Sequence, residues 1–243
     1  MHEYMLIALD LDGTLLDSGK RLSPKNAAAL RRAAESGAQI VPTTGRFFDG
    51  MPQVIRELPY LCYAITINGA QVLDVRTGSV LYRAEIPLPR ALAIMEYLDT
   101  LPVIYDCYCG SWGWITRAMQ DAAPEFISDV HSLHMVQELR TPVDELEAYL
   151  RARGDDVQKI QLFLQDVSQR PAVMAELERR FPGTAASTSL QNNIEINTAA
   201  ANKGDAVRAL AAHLGIPMEQ TISFGDGSND LSMIRACGLG VAI

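Results

Sequence analysis

Residues 6–14 have the sequence LIALDLDGT, in which an apolar run is followed by two carboxylates and a turn. The run at 6–9 predicts a short buried β-strand. Asp10 and Asp12 then lie directly after that strand, and ligands of open α/β sheets bind at the carboxyl ends of the strands. Two carboxylates at such a position are costly unless another charge compensates them. A divalent cation, and a phosphate chemistry that uses it, would provide that compensation.

The residues that follow alternate between strand and helix patterns. Ser23 and Pro24 mark the start of the first helix, as an N-cap and a first-turn proline. Strand–helix–strand repeats of this kind predict a parallel sheet with right-handed crossovers. The predicted segments of this part are helices at 27–35 and 47–58 and strands at 39–42 and 62–67.

The pattern changes near residue 71, where hairpin signals mix with helices. The stretch from about 85 to 189 therefore predicts a separate α+β unit. The predicted segments are paired strands at 71–74 and 80–86 and at 103–108 and 112–116, helices at 91–101, 141–153 and 170–180, and a strand at 157–165.

The last part of the chain returns to the first pattern. We expect residues 1–84 and 190–243 to form one discontinuous domain into which residues 85–189 are inserted. The chain ends on an apolar strand at 239–243, which an α/β sheet would normally cover with a further helix. Either this strand end is exposed or the chain has been shortened, and we expect the latter. The predicted segments are strands at 193–197, 221–224 and 239–243 and helices at 203–214 and 229–236.

Composition excludes several classes of function. The hydrophobic fraction of 48% and the charged fraction of 21% are those of an ordinary globular protein. The net charge of -8 argues against a nucleic-acid partner, which needs a basic face. No apolar run approaches the ~20 residues that span a bilayer, so no membrane partner is expected. Four cysteines without a CxxC pair favour reduced thiols and a cytoplasmic location.

Four polar clusters follow four short apolar strands. A lysine also begins a helix just after a fifth predicted strand, at 193–197. Any one cluster alone is best interpreted as a turn or a helix cap. In a parallel sheet, however, all four fall at the same edge, and four independent turns would rarely place acids, a hydroxyl and a lysine there together. The clusters are Asp10/Asp12, Thr44-Gly45-Arg46, Asn68-Gly69 and Asp226/Asn229/Asp230, and the lysine is Lys203.

These motifs resemble, in order, those of the haloacid dehalogenase (HAD) superfamily of phosphotransferases, and more narrowly the Cof-type sugar-phosphate phosphatases. The matching motifs are Asp-x-Asp-Gly-Thr at 10–14, Thr-Gly-Arg at 44–46, Lys-Gly at 203–204 and Gly-Asp-x-x-Asn-Asp at 225–230. The implied fold is a Rossmann-like parallel-sheet core with an inserted α+β cap domain at 85–189. The cap stretch itself carries no matching motif.

The resemblance implies separate roles for the two opening acids. Asp10 is the implied nucleophile, which attacks phosphorus and forms an aspartyl-phosphate. Asp12 is the implied general acid, which protonates the leaving alkoxide and then acts as the base that activates water. A carboxylate attacking a phosphate meets a repulsion of about 4 kcal/mol for two unit charges ~4 Å apart at an effective dielectric of ~20. Mg²⁺ offsets that repulsion, and it is the expected cofactor.

The implied metal ligands are the carboxylates of Asp10 and Asp226 and the backbone carbonyl of Asp12. Asp230 is expected to reach the metal through a water molecule or to orient Asp226.

The implied phosphate-binding groups surround the position of the transferring phosphoryl oxygens. Arg46 and Asn68 are weaker candidates for substrate contact, since packing or a surface ion pair explains Arg46 equally well. The phosphate-binding groups are the Thr44 hydroxyl, the backbone N–H groups of Leu11 and Gly45, Asn229 and Lys203.

The leading hypothesis is a Mg²⁺-dependent hydrolase of a small phosphorylated metabolite, with sugar phosphates as the usual class of the resembling family. A phosphomutase of the same superfamily would pass the phosphoryl group to a sugar instead of water. A signalling module that uses phospho-aspartate as a switch is the alternative from another class. The second acid, Asp12, disfavours that switch because a switch needs no general acid.

Overall fold

The computed structural model describes residues 4–243. The chain folds into two compact units: the first comprises the chain up to Ala84 together with Ala200–Ile243, and the second comprises Glu85–Ala199. None of the helices among these residues has the length and apolar character needed to cross a membrane.

Short strands and helices alternate along the chain. The strands are β1 (Leu6–Leu9), β2 (Gln39–Pro42), β3 (Tyr63–Thr66), β4 (Gln71–Asp74), β5 (Ser79–Arg83), β6 (Val103–Cys109), β7 (Trp112–Thr116), β8 (Thr141–Val143), β9 (Lys159–Leu164), β10 (Thr184–Ser187), β11 (Asn193–Thr198), β12 (Thr221–Gly225) and β13 (Leu239–Ala242). The helices are α1 (Pro24–Glu35), α2 (Gln53–Arg56), α3 (Leu88–Leu98), α4 (Arg117–Phe126), α5 (Val130–Glu138), α6 (Leu146–Arg153), α7 (Arg170–Arg180), α8 (Lys203–Leu214) and α9 (Leu231–Ala236).

The first unit is built on a parallel sheet with the strand order β13-β12-β1-β2. An isolated parallel bridge between Thr43 and Ile65 continues this arrangement to β3, which also begins the antiparallel sheet β3-β4-β5. Helices α8 and α9 pack on the face of β1 that carries Leu6 and Ala8, whereas α1 and α2 pack on the face that carries Leu9. Because β1 lies between β2 and β12, the strand order reverses beside it, which is where open α/β sheets bind ligands.

The second unit contains a six-stranded sheet with the order β10-β11-β9-β6-β7-β8. Its strand pairs are antiparallel except for the parallel pair β7–β8. One face of the sheet packs on an apolar cluster with α3, α6 and α7, and part of the other face packs with α4 and α5.

Several predicted elements differ from the structure. The helix predicted at 47–58 is a short 3₁₀ turn followed by the four-residue α2. Met51 between them is extended (φ -75°, ψ 147°), because the ring of Pro52 disfavours helical backbone in the residue before it. The helix predicted from residue 141 begins only at Leu146, since Thr141–Val143 pairs with β7 as a strand.

The return of the chain to the first unit also differs from the predicted boundary at residue 190. Strand β11 pairs antiparallel with β9, with Ile194 opposite Leu162, and so belongs to the sheet of the second unit. The first unit resumes at Ala200. Helices α4 and α5 and strand β10 were not predicted, although Thr116 caps α4 by accepting a hydrogen bond from the backbone of Met119.

Candidate active site

The carboxyl ends of the parallel strands in the first unit bring the predicted polar clusters together. Asp10 follows β1, Thr44 lies just beyond β2, Asn68 just beyond β3 and Asp226 directly after β12. Strand β1 pairs in parallel with both β2 and β12, so the ends of these strands lie side by side. The candidate site therefore lies at this shared edge.

Asp10 and Lys203 form the buried centre of this edge. The Nζ atom of Lys203 lies 2.6 Å from Oδ1 of Asp10 and 2.5 Å from Oδ1 of Asp230. Burial raises the pKa of Asp10 to about 6, although the charge of Lys203 opposes that shift. Burial lowers the pKa of Lys203, but the charges of Asp10 and Asp230 outweigh this effect and leave it raised, so the lysine stays cationic.

Asp10, Asp226 and Asp230 offer oxygen atoms that lie within 4.8 Å of one another. Hard divalent cations such as Mg²⁺ prefer carboxylate oxygens, so this donor set fits the expected metal. Asp226 is exposed and its Oδ1 accepts a hydrogen bond from the Thr14 hydroxyl (3.0 Å). Asp230 is fully buried, and its Oδ2 accepts the backbone N–H groups of Asp226 (3.1 Å) and Gly227 (2.9 Å). Asp230 thus holds the backbone that carries Asp226.

Position 13 requires glycine, because Asp226 occupies the space that a larger side chain would need. The φ of Gly13 is +87°, in the left-handed region that favours glycine, and a Cβ built on it would lie 2.3 Å from Oδ2 of Asp226. The Gly of the Asp-x-Asp-Gly-Thr motif is therefore required for both conformation and space.

Asp12 is held by two cations. Arg46 donates from Nε to Oδ2 of Asp12 (2.9 Å) and from Nη2 to Oδ1 (3.1 Å), and Lys20 donates from Nζ to Oδ1 (2.7 Å). Burial raises the pKa of Asp12, but the hydrogen bonds and charges of Arg46 and Lys20 outweigh it and leave that pKa below its ordinary value. The structure thus places Arg46, a weaker candidate for substrate contact, on the carboxylate of Asp12.

The loop after β2 is joined to the turn after β3. The backbone N–H of Asn68 donates to the carbonyl of Thr44 (3.0 Å), and that of Ile67 donates to the carbonyl of Arg46 (2.9 Å). Oδ1 of Asn68 accepts a hydrogen bond from Nδ2 of Asn229 (3.3 Å) and lies 2.7 Å from the position that a Cβ on Gly45 would take.

Most of the residues predicted for the site therefore lie at one edge of one sheet. Leu11 follows Asp10 and is fully buried in an apolar cluster, so its backbone alone remains available for the predicted phosphate contact. Lys20 was missed, because it lies in a loop without periodicity or motif. Lys20 itself has a left-handed backbone (φ +58°) at the tip of that loop, and this feature can be seen only in the structure.

A comparison with known families matches residues 7–243 to the haloacid dehalogenase-like hydrolases. The chain belongs to this family. The membership predicted from the four motifs is thus confirmed, and a haloacid dehalogenase-like hydrolase is an enzyme.

Individual relatives of this haloacid dehalogenase-like hydrolase are named as phosphatases. The chain is 30% identical to the phosphatase YwpJ of Bacillus subtilis (strain 168), covering 98% of this chain and 88% of that protein. It is 28% identical to the pyridoxal phosphate phosphatase YbhA of Escherichia coli (strain K12), covering 98% of this chain and 87% of that protein.

A solved structure of a haloacid dehalogenase-like hydrolase from B. subtilis has the same architecture. It matches with a TM-score of 0.81 and 29% identity, over 98% of this chain and 88% of that one. This match confirms the predicted α/β fold class with a parallel-sheet core and an additional α+β region.

Proposed function

We propose that this hydrolase is a Mg²⁺-dependent phosphatase of a small phosphorylated metabolite and that it acts through an aspartyl-phosphate on Asp10. The proposal rests mainly on the buried Asp10–Lys203–Asp230 cluster. This cluster lies where the strand order of the sheet reverses, and it is close to the exposed carboxylate of Asp226. A buried acid beside a cation and two further carboxylates is expensive as structure alone and well suited to phosphoryl transfer.

Asp10 is the proposed nucleophile. Lys203 donates to its Oδ1, which fixes the orientation of the carboxylate. Attack forms a bond between a carboxylate oxygen of Asp10 and phosphorus while the bond from phosphorus to the leaving oxygen breaks.

Asp12 is the proposed general acid and base. Its protonated form gives a proton to the leaving oxygen in the first step. In the second step it takes a proton from water as the water oxygen attacks phosphorus and the bond from Asp10 to phosphorus breaks, which restores both acids.

The carboxylates of Asp10 and Asp226 and the backbone carbonyl of Asp12 are the proposed ligands of Mg²⁺. When bound, Mg²⁺ offsets the repulsion between the Asp10 carboxylate and the phosphate. Asp230 fixes the Asp226 backbone through its Oδ2.

The proposed contacts to the phosphoryl oxygens come from the loops at the same sheet edge. Asn68 positions Asn229 among these groups by accepting its amide hydrogen bond. The contacting groups are the Thr44 hydroxyl, the backbone N–H groups of Leu11 and Gly45, the Asn229 amide and the Lys203 ammonium.

The substrate class follows from the resemblance and from the relatives. Sugar phosphates are the usual class of the Cof-type enzymes that the motifs resemble, and one relative is named for pyridoxal phosphate. We therefore propose small phosphomonoesters, with sugar phosphates as the first class to test. We also propose that the second unit has the cap role that the resemblance implies.

Release of inorganic phosphate from para-nitrophenyl phosphate and from hexose phosphates, with and without Mg²⁺, tests this function. We expect Mg²⁺-dependent release by the wild type and at least a hundredfold loss in Asp10→Asn, while the exposed control Asp121→Asn keeps its activity. Full activity of Asp10→Asn would exclude the aspartyl-phosphate mechanism. Conversion of a hexose phosphate to an isomer without free phosphate would identify a mutase instead.

A further inference from the structure

The loop between Gly13 and α1 is a tight hairpin that carries Lys20 at its tip. Its base is closed by an antiparallel bridge between Leu16 and Leu22. Oδ1 and Oδ2 of Asp17 accept the backbone N–H and the Nε of Arg21, each at 3.0 Å. These bonds hold the hairpin without any contribution from the side chain of Lys20.

Lys20 has a backbone conformation that is uncommon for a residue other than glycine, and its side chain contacts the site. Its φ is +58°, a value that non-glycine residues adopt rarely and that concentrates at functional positions. Its N–H donates to the carbonyl of Asp17 (2.9 Å), and its Nζ reaches Oδ1 of Asp12 at 2.7 Å.

Together, Lys20 and Arg46 occupy most of the accepting positions of the Asp12 carboxylate. A carboxylate offers about four lone-pair positions. Oδ1 accepts from Lys20 and from Nη2 of Arg46, and Oδ2 accepts from Nε of Arg46. Among the hydrogen bonds of residues 4–243, one position is left open, and it is on Oδ2, so a proton that passes through Asp12 is directed to that atom.

We propose that Lys20 is a positioning residue, which orients the carboxylate of Asp12 for proton transfer to the leaving group. The inference rests on the proposed phosphatase function and adds to it a residue outside the four motifs. Lys20 acts through Asp12 and does not itself exchange a proton with substrate.

A role in stabilising the fold alone explains the ion pair between Lys20 and Asp12 poorly. The side chains of Lys20 and Asp12 are 28% and 35% exposed, and ion pairs at such exposure contribute little to stability. A proton-transfer group, in contrast, needs a fixed orientation, which the three hydrogen bonds from Lys20 and Arg46 give to the Asp12 carboxylate.

The dependence of kcat/KM on the leaving group tests this proposal. The kcat/KM value reports the steps up to departure of the leaving group, so it contains the proton transfer from Asp12 and not the later attack of water. A hexose phosphate releases a strongly basic alkoxide that needs the proton, whereas para-nitrophenyl phosphate releases a weakly basic phenolate that needs it far less.

We expect Lys20→Met to lower kcat/KM for hexose phosphate about tenfold or more and that for para-nitrophenyl phosphate only about two- to threefold. Lys20→Arg should recover most of the loss, because it restores a donor to Oδ1. The exposed lysine of helix α1 provides the control, Lys25→Met, which should match the wild type on both substrates.

Equal losses on both substrates, or no loss on hexose phosphate, would overturn the role of Lys20 while leaving the phosphatase function standing. A wild type without activity on either substrate would overturn the function and the inference together. Thermal unfolding of Lys20→Met within about 2 °C of the wild type is expected, which separates positioning from folding.

Discussion

The ammonium of Lys203 lies 2.6 Å from a carboxylate oxygen of Asp10, at a place where the lysine side chain is wholly excluded from water and the aspartate nearly so. Two charged groups in such a place stabilise each other only as long as both are present. Asp230 is the third member, at 2.5 Å from the same ammonium. The cluster therefore carries one cation between two buried acids.

Removal of that cation should destabilise the protein strongly. We expect Lys203→Met to lower the free energy of unfolding by about 3–5 kcal/mol, because Asp10 and Asp230 lose their partner while buried. Urea unfolding in metal-free buffer measures the change. The double variant Lys203→Met/Asp230→Asn should regain part of the loss, since one unpaired charge is gone. A Lys203→Met protein as stable as the wild type would contradict the buried cluster.

Substitution of Gly13 should weaken metal binding beyond its effect on stability. Gly13→Ala places a Cβ 2.3 Å from Oδ2 of Asp226, so that carboxylate must move, and we expect Mg²⁺ affinity to fall about 10–100-fold. Gly37→Ala is the matched control, since its φ of +94° is as unfavourable for alanine but nothing lies within 4 Å of the added Cβ. Calorimetric titration with Mg²⁺ compares the two. Equal affinities in both variants would show that Asp226 does not hold the metal.

The sequence could predict that the site residues lie at the sheet edge, because each of them follows the carboxyl end of a strand whose position the sequence pattern indicates. Strands β1 and β2 fall at the predicted residues, and β12 extends only one residue further. In a parallel sheet the order of the motifs alone then decides that Asp10, Thr44 and Asp226 are neighbours.

The contacts of the second unit could not be predicted in the same way. Lys159 Nζ lies 3.0 Å from Oε1 of Glu195, and both side chains are buried. The pair arises because β9 and β11 are neighbours in the six-stranded sheet, an antiparallel pairing that local patterns do not encode. The same pairing explains why residues 193–198 do not belong to the first unit.

Affinity for Mg²⁺ should depend on pH near the pKa of Asp10. Burial raises that pKa to about 6 from an ordinary value of 3.8, so a proton competes with the metal for this carboxylate below pH 6. At pH 5 only about a tenth of Asp10 is ionised in the metal-free protein, and we expect Mg²⁺ to bind about tenfold more weakly than at pH 7. Calorimetric titrations at the two pH values measure the ratio.

The sign of the stability effect follows from the same shift. Between about pH 4 and pH 6 the folded metal-free protein keeps a proton on Asp10 that the unfolded chain has lost, so the contribution of this group to stability falls as pH rises through that window. Asp10→Asn should remove this dependence. A Mg²⁺ affinity that stays constant from pH 5 to pH 7 would contradict a metal-binding Asp10 with a raised pKa.

Two variants of Asn68 should separate its backbone from its side chain. Asn68 and Ile67 have φ values of +58° and +54°, and the Asn68 amide oxygen accepts a hydrogen bond from Asn229. Asn68→Gly keeps the turn but frees Asn229, so we expect kcat/KM to fall about three- to tenfold with stability within about 1 kcal/mol of the wild type. Asn68→Ala should show the same kinetic loss and a further destabilisation of about 1–2 kcal/mol, because alanine tolerates the left-handed region poorly. Steady-state kinetics and urea unfolding measure the two effects, and full activity of Asn68→Gly would mean that Asn229 needs no support from Asn68.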